Sequence, residues 1–134
     1  ISLKFANQAV GSFLLSDRTP SPWTWEMALG ESAKFPKTGM NAIRFLGTEA
    51  ALEFPNLVLW RHAEGNGNWH HEIGPEVIDA PFIDAYVAQC AHLRAVTRGL
   101  ETPIIDALNG SRSLDATLAA ARAATSGTRI KLSM

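Results

Sequence analysis

The residues of this sequence best suited to chemistry are four histidines and one cysteine. They are the side chains that zinc prefers, and they stand at His62, His70, His71, Cys90 and His92. Neighbours on a strand point to opposite faces, so His70 and His71 cannot readily share an ion. Cys90 and His92, two positions apart on a helix, diverge by about 200°. The spacing therefore argues against a metal site.

Nucleophilic catalysis also finds little support. Cys90 could act as a nucleophile beside a base, but it falls on the apolar stripe of a predicted helix, where free cysteine usually packs as a small buried hydrophobe. We expect His92 to make a structural hydrogen bond rather than a catalytic one. Ser16 and Asp17 suggest a hydrolase only superficially, since the sequence has no Gly-x-Ser-x-Gly elbow. No catalytic residue is predicted.

Asp17, Trp23, Trp25 and Glu26 form a candidate substrate-binding cluster. Two aromatics and two carboxylates at a Pro-interrupted strand entry are typical of an edge that contacts carbohydrate. Indole faces stack on the C–H faces of sugars, and carboxylates accept hydrogen bonds from hydroxyl groups. The alternative is that both tryptophans pack against the sheet or against a partner subunit.

The first eighty residues must position these groups, and they show period-two patterning broken by turns. Six or seven short strands are expected. They are a hairpin with Leu3 and Phe5 on one strand and Phe13 and Leu15 on the other, a possible strand at Trp23–Leu29, and strands at Asn41–Gly47, Leu52–Phe54, Leu57–Trp60 and Trp69–Ile73. We expect Leu57–Trp60 to be covered on both faces, and loops at Glu31–Gly39 and Glu64–Asn68.

From Pro81 onwards the apolar residues recur at helical spacing. One amphipathic helix is predicted from Pro81 to a C-cap at Gly99, and a second from Asp106 or Asn109 to Gly127. Thr128–Leu132 is expected to form a final strand. The order predicts one α+β domain over residues 1–134, a mostly antiparallel open sheet with helices on one face. The other face has too many apolar positions to be solvated, so we expect another domain or subunit against it.

Bulk properties narrow the class of protein. The chain has 134 residues, 46% of them hydrophobic and 19% charged, and a formal charge of -1. That composition is typical of a globular protein, and the balanced charge disfavours nucleic acid as a partner. A single cysteine cannot form an intramolecular disulfide, and neither a membrane span nor a signal peptide is recognisable. We expect a cytoplasmic protein.

Four segments resemble the C-terminal domain of the glucose-fructose oxidoreductase and inositol dehydrogenase family, Gfo/Idh/MocA. The first two are FANQAVGSFLLS, from Phe5, and FLGTEAAL, from Phe45. The second is similar to the family's "G-T-x-G-x-L" strand-turn-strand, although Ala50 and Ala51 stand where the family usually has Gly-Ser or Gly-Ala. The others are QCAHLRAVTRG, from Gln89, with Pro103 after it, and the run from Asn109 to Leu132. They occur in the family's order over nearly the whole chain. Residues 16–26 further resemble a branch of predicted bacterial dehydrogenases.

The resemblance implies a fold of the dihydrodipicolinate reductase-like type, also found in the C-terminal domain of glyceraldehyde-3-phosphate dehydrogenase. It also implies a two-domain parent enzyme. An N-terminal Rossmann domain would hold NAD or NADP, and this domain would line the pocket of a sugar, polyol or related hydroxy compound and form a homo-oligomer contact. The cofactor would carry the hydride chemistry.

Departures from the family place catalysis elsewhere. The sequence has no Gly-x-Gly-x-x-Gly before a helix, and Gly65-Asn66-Gly67 lacks the third glycine. The family's Glu-Lys-Pro motif is absent, and its Asp and His pair would precede Ile1. We therefore expect no cofactor bound by this fragment and no turnover by it alone. The alternative is a non-enzymatic dimerising or binding module built on the same open sheet.

Overall fold

The computed structural model describes residues 1–63 and 67–132, which contain six short strands and three helices. In chain order they are β1 (Ser2–Lys4), β2 (Val10–Ser12), α1 (Trp25–Leu29), β3 (Ile43–Leu46), β4 (Ala50–Phe54), β5 (Val58–His62), β6 (Ile73–Val77), α2 (Ala85–Thr97) and α3 (Ala107–Ser126). The predicted α+β class is confirmed. Contacts group residues 1–18 with 85–134 in one unit and residues 19–84 in another.

The N-terminal hairpin forms with a tighter turn than predicted. Strand β1 pairs antiparallel with β2, and Leu3 lies opposite Gly11. The chain reverses earlier than expected because Gln8 adopts a φ of 71° and donates its N–H to the carbonyl of Phe5. The second strand is therefore Val10–Ser12, and the prediction that it carries Phe13 and Leu15 was wrong.

Strands β3 to β6 form a four-stranded antiparallel sheet in sequential order. Three of the predicted strands are confirmed within a few residues. The fourth, predicted at Trp69–Ile73, was placed too early. The carbonyl of Asn68 accepts the N–H of His71 in a turn, so β6 begins only at Ile73. The predicted loop at Glu64–Asn68 lies partly outside the described residues, which omit 64–66.

The expected single sheet of six or seven strands was wrong. The described strands divide into a four-stranded and a two-stranded sheet, and residues 128–132 form no strand. Leu57–Trp60 is only half-buried, and Trp60 is 37% exposed, so this strand is not covered on both faces as expected. The covering of one sheet face by α2 and α3, and the single domain over residues 1–134, stay predictions.

The segment Trp23–Leu29, predicted as a possible strand, contains a short helix instead. Glu26, Met27, Ala28 and Leu29 are good helix formers, and Gly30 closes the helix in the left-handed region at a φ of 68°. Its N–H donates to the carbonyl of Glu26 at 3.0 Å. A left-handed residue after the last turn is the usual helix terminator, and glycine adopts it without strain.

The two longer helices follow the predicted pattern. Helix α2 begins at Ala85, four residues after the predicted start, and Gly99 follows its end with a φ of 70°. Helix α3 begins after Asp106, whose Oδ1 accepts the N–H of Asn109 at 2.7 Å, and ends at a left-handed Gly127. Within the described ranges, no helix combines the length and apolarity needed to cross a membrane.

Little of the apolar side-chain surface is buried. In the described part of the chain, Ala28 and Ala119 are the only buried hydrophobic residues. Cys90 is exposed, so the prediction that it packs as a buried hydrophobe was wrong. The reason is that α2 has no buried residue, and its apolar stripe is exposed at Tyr86 and Leu93.

Candidate functional site

The predicted substrate cluster is divided between the two units. Asp17 is exposed in a bend of the first unit, whereas Trp23, Trp25 and Glu26 belong to the second. Three of the four side chains therefore share one local framework.

The two tryptophans of this cluster have different roles. The ring of Trp25 stacks on Phe54 of β4, with centroids 5.5 Å apart and an interplanar angle of 28°. This contact attaches α1 to the sheet. Trp25 therefore packs against the sheet, which was the alternative to substrate binding. Trp23 has no such ring partner among the described residues and is 59% exposed. Trp23 is therefore the tryptophan with an indole face available to a ligand.

Hydrogen bonds hold the segment before α1 in place. Thr38 donates from Oγ1 to the carbonyl of Pro22 at 2.8 Å and from its backbone N–H to Met27 at 3.0 Å. Trp23 donates its N–H to Ser21 Oγ at 3.2 Å. The backbone on both sides of Trp23 is thus tied to the loop that follows α1.

Two oxygen-bearing side chains flank this framework. Glu26 is exposed in the first turn of α1, and no ion pair within the described residues involves it. Thr24 precedes α1, but its Oγ1 makes no cap hydrogen bond and is buried without a partner in the described part of the chain. The arrangement offers an aromatic surface and a carboxylate acceptor, which suits binding of a hydroxyl-bearing molecule rather than proton transfer.

His92 makes the structural hydrogen bonds predicted for it. Its Nδ1 lies 2.5 Å from Glu101 Oε2, and its Nε2 accepts the backbone N–H of Ile104 at 3.2 Å. A nitrogen that accepts an N–H carries no proton, so the neutral ring is protonated at Nδ1. The imidazole connects α2 to the segment that leads into α3.

The four-stranded sheet has one side that we call the Trp60 face. Alternation along each paired strand places ten residues on it: Arg44, Leu46, Ala51, Glu53, Val58, Trp60, His62, Ile73, Pro75 and Val77. Leu46 is 82% exposed and Val77 71%. The two charged residues pair with each other, Arg44 Nε lying 3.2 Å from Glu53 Oε1. The face is therefore apolar and carries no unpaired charge.

Within residues 1–63 and 67–132, no three His, Cys, Asp or Glu side chains are arranged to hold a metal ion. His62, His70 and His71, which the sequence suggested only as metal ligands, line one cavity at the end of β5. The sequence did not predict that they converge. Because Trp69–Ile73 was predicted as a strand, His70 and His71 were expected to point to opposite faces. Comparison of this chain with protein-family models, curated proteins and solved structures finds no match.

Proposed function

We propose that this chain is the substrate-side, C-terminal domain of a two-domain NAD(P)-dependent oxidoreductase of the Gfo/Idh/MocA type. Its substrate is a sugar, a polyol or a related hydroxy compound. The domain lines the substrate pocket and mediates homo-oligomerisation in the cytoplasm, while a Rossmann domain supplies the cofactor site. The fragment has no catalytic role by itself.

The observation that carries this proposal is the exposed Trp60 face. A sheet face that places Leu46, Ile73 and Val77 in water loses about 25 cal/mol for each Å² of apolar surface left uncovered. Soluble monomers rarely expose large apolar patches, and such patches mark interfaces. The Arg44–Glu53 pair neutralises the only charges on this face, so a second copy meets it without repulsion. This favours a module that assembles.

The substrate-lining part of the proposal rests on Trp23 and Glu26. Trp23, in the turn before α1, keeps an indole face free for the C–H face of a sugar ring, and Glu26 offers a carboxylate in the first turn of α1. Asp17 remains a candidate on the first unit. Trp25 contributes indirectly, because its stack on Phe54 holds the segment in place.

The parent enzyme is tested by determining the coding sequence upstream of Ile1 and expressing the whole reading frame. We expect a strand, a Gly-rich turn and a helix about one domain's length before Ile1, and reduction of NAD or NADP with a sugar or polyol. An upstream sequence without a dinucleotide-binding fingerprint would exclude the oxidoreductase.

The alternative is a non-enzymatic dimerising or binding module, which the same exposed face supports. Sedimentation of the fragment, with Leu46→Lys as the variant and Leu14→Lys as the control, tests the face itself. Leu14 is fully exposed but lies outside the Trp60 face. We expect Leu46→Lys alone to shift the chain towards monomer. A chain that is already monomeric at micromolar concentration contradicts pairing through this face, because such interfaces are large and apolar.

A further inference from the structure

A cavity at the end of β5 is lined mainly by polar side chains, to which the proposed function gives no part in substrate binding. Its volume is about 350 Å³, and its lining residues are His62, Ala63, His70, His71 and Glu72. Small-molecule sites begin at about 300 Å³, whereas one water occupies about 30 Å³. The cavity has the volume of a ligand site rather than of a single water.

His62 lines this cavity, and its ring carries a free acceptor atom. Its Nδ1 lies 3.1 Å from the carbonyl oxygen of Glu72, and because a carbonyl can only accept, Nδ1 carries the proton. In the neutral ring Nε2 then holds a lone pair. No described residue hydrogen-bonds to that nitrogen.

Gly67 fixes the position of the His62 ring. A Cβ atom built on Gly67 would lie within the van der Waals radius of three atoms of the His62 side chain, among them two ring carbons. Only glycine allows the backbone to pass this close to the imidazole. The ring is therefore held between Gly67 and the Glu72 carbonyl, which orients its free nitrogen.

His71 presents the complementary group. Its Nδ1 accepts the backbone N–H of Asn68 in a long hydrogen bond of 3.4 Å, so the neutral ring carries its proton on Nε2. The rings of His62 and His71 are nearly perpendicular, at 85°, with centroids 6.3 Å apart. One ring offers an acceptor and the other a donor.

From this pairing we infer that the cavity binds a small neutral molecule with adjacent hydroxyl groups. One hydroxyl donates to His62 Nε2 and accepts from His71 Nε2–H. The ring centroids lie 6.3 Å apart, a separation comparable to two hydrogen bonds of about 2.9 Å in series. The Glu72 carboxylate accepts from the neighbouring hydroxyl. The inference concerns a site separate from Trp23 and does not depend on oxidoreductase activity.

The tautomers favour a hydroxyl group over a metal ion. Coordination through Nε2 of both rings would require His71 to lose its Nε2 proton and give up the Asn68 contact. The described residues also lack three ligands in a metal-binding arrangement. A hydroxyl group needs no change, because it both donates and accepts.

The experiment is a titration of the complete chain, with the side-chain ¹⁵N signals of the histidines followed by NMR. The probe is trans-cyclohexane-1,2-diol at millimolar concentrations, and its dimethyl ether is the matched control that cannot donate. We expect saturable shifts at His62 Nε2 and His71 Nε2 with the diol only. Equal shifts with both probes, no shifts with either, or saturable Zn²⁺ binding at these nitrogens would each overturn the inference.

Variants separate recognition from folding. His71→Leu removes the donor and is expected to weaken diol binding about tenfold, whereas His71→Gln retains an N–H and restores much of it. Gly67→Ala displaces His62 and is expected to weaken binding similarly. Trp69→Phe is the control, because Trp69 belongs to the same turn and is fully exposed without lining the cavity. Unchanged affinity in a folded His71→Leu variant would contradict the assignment.

Discussion

Trp25 stacks on Phe54 with ring centroids 5.5 Å apart, and this contact joins α1 to the four-stranded sheet. The neighbouring Trp23 lacks a ring partner within the described ranges, although it is only slightly more exposed, at 59% against 50%. Two tryptophans two positions apart therefore differ in what they contribute.

The first prediction separates those contributions. Trp25→Ala should lower the free energy of unfolding by about 1–2 kcal/mol, because a half-buried aromatic stack is lost. Trp23→Ala should change it by less than about 0.5 kcal/mol, as a substitution on an exposed surface does. Urea denaturation followed by circular dichroism measures both. Equal destabilisation by the two variants would contradict the assignment of Trp25 as the packing residue.

The second prediction concerns Thr24, whose Oγ1 is buried and unpartnered among the described residues. Thr24→Val should leave stability unchanged or raise it by up to about 1 kcal/mol, since it removes a desolvated hydroxyl. Thr38→Val is the matched control. It should cost about 1 kcal/mol, because Thr38 Oγ1 donates to Pro22 at 2.8 Å. Thermal unfolding of both variants tests the contrast, and a large loss in Thr24→Val would reveal a partner for that hydroxyl.

The third prediction is the N-cap of α3. Asp106 Oδ1 accepts both the backbone N–H and the side-chain Nδ2 of Asn109. Asp106→Ala should destabilise the protein by about 1 kcal/mol. Asp106→Asn retains an acceptor oxygen and should recover most of that loss. Hydrogen exchange in the first turn of α3 reports the effect locally, and unchanged exchange in Asp106→Ala would count against a cap at this residue.

The fourth prediction is the protonation site of His92. Because Nε2 accepts from Ile104 and Nδ1 contacts Glu101, the neutral ring should be the Nδ1–H tautomer. Long-range ¹H–¹⁵N correlation spectra distinguish the two tautomers directly. Glu101→Gln should leave the tautomer unchanged, since its amide oxygen still accepts. Observation of the Nε2–H form in the neutral protein would mean that the Ile104 contact does not persist in solution.

Local signals in the sequence were enough to predict several elements of the fold. Asp106 and Gly127 marked the two ends of α3, because capping and the left-handed C-terminal residue depend on groups within one helical turn. Alternating apolar residues predicted β3 and β4, and the nearly continuous apolar run Leu57–Trp60 predicted β5. The hydrogen-bonding role of His92 was also predicted, although its partners were not.

Segments with competing signals were decided by contacts distant in sequence. Trp23–Leu29 alternates like a strand, yet the stack of Trp25 on Phe54 and the bonds from Thr38 stabilise a helix there. The separation of the hairpin from the four-stranded sheet followed no local pattern. The exposure of Cys90 likewise depended on which surfaces are covered, which spacing alone does not reveal.

The sequence by itself determined the α+β class, the long helices and the chemical character of the candidate residues, because those depend on composition and local periodicity. Only the tertiary structure decided which side chains converge. It brought Gly67 against His62 and set His71 opposite it, and it gave Trp25 a partner while leaving Trp23 free. The physical reason is that the pairing of β5 with β6 and the packing of α1 on β4 set the distances between these side chains, and periodicity and spacing in the sequence do not encode those distances.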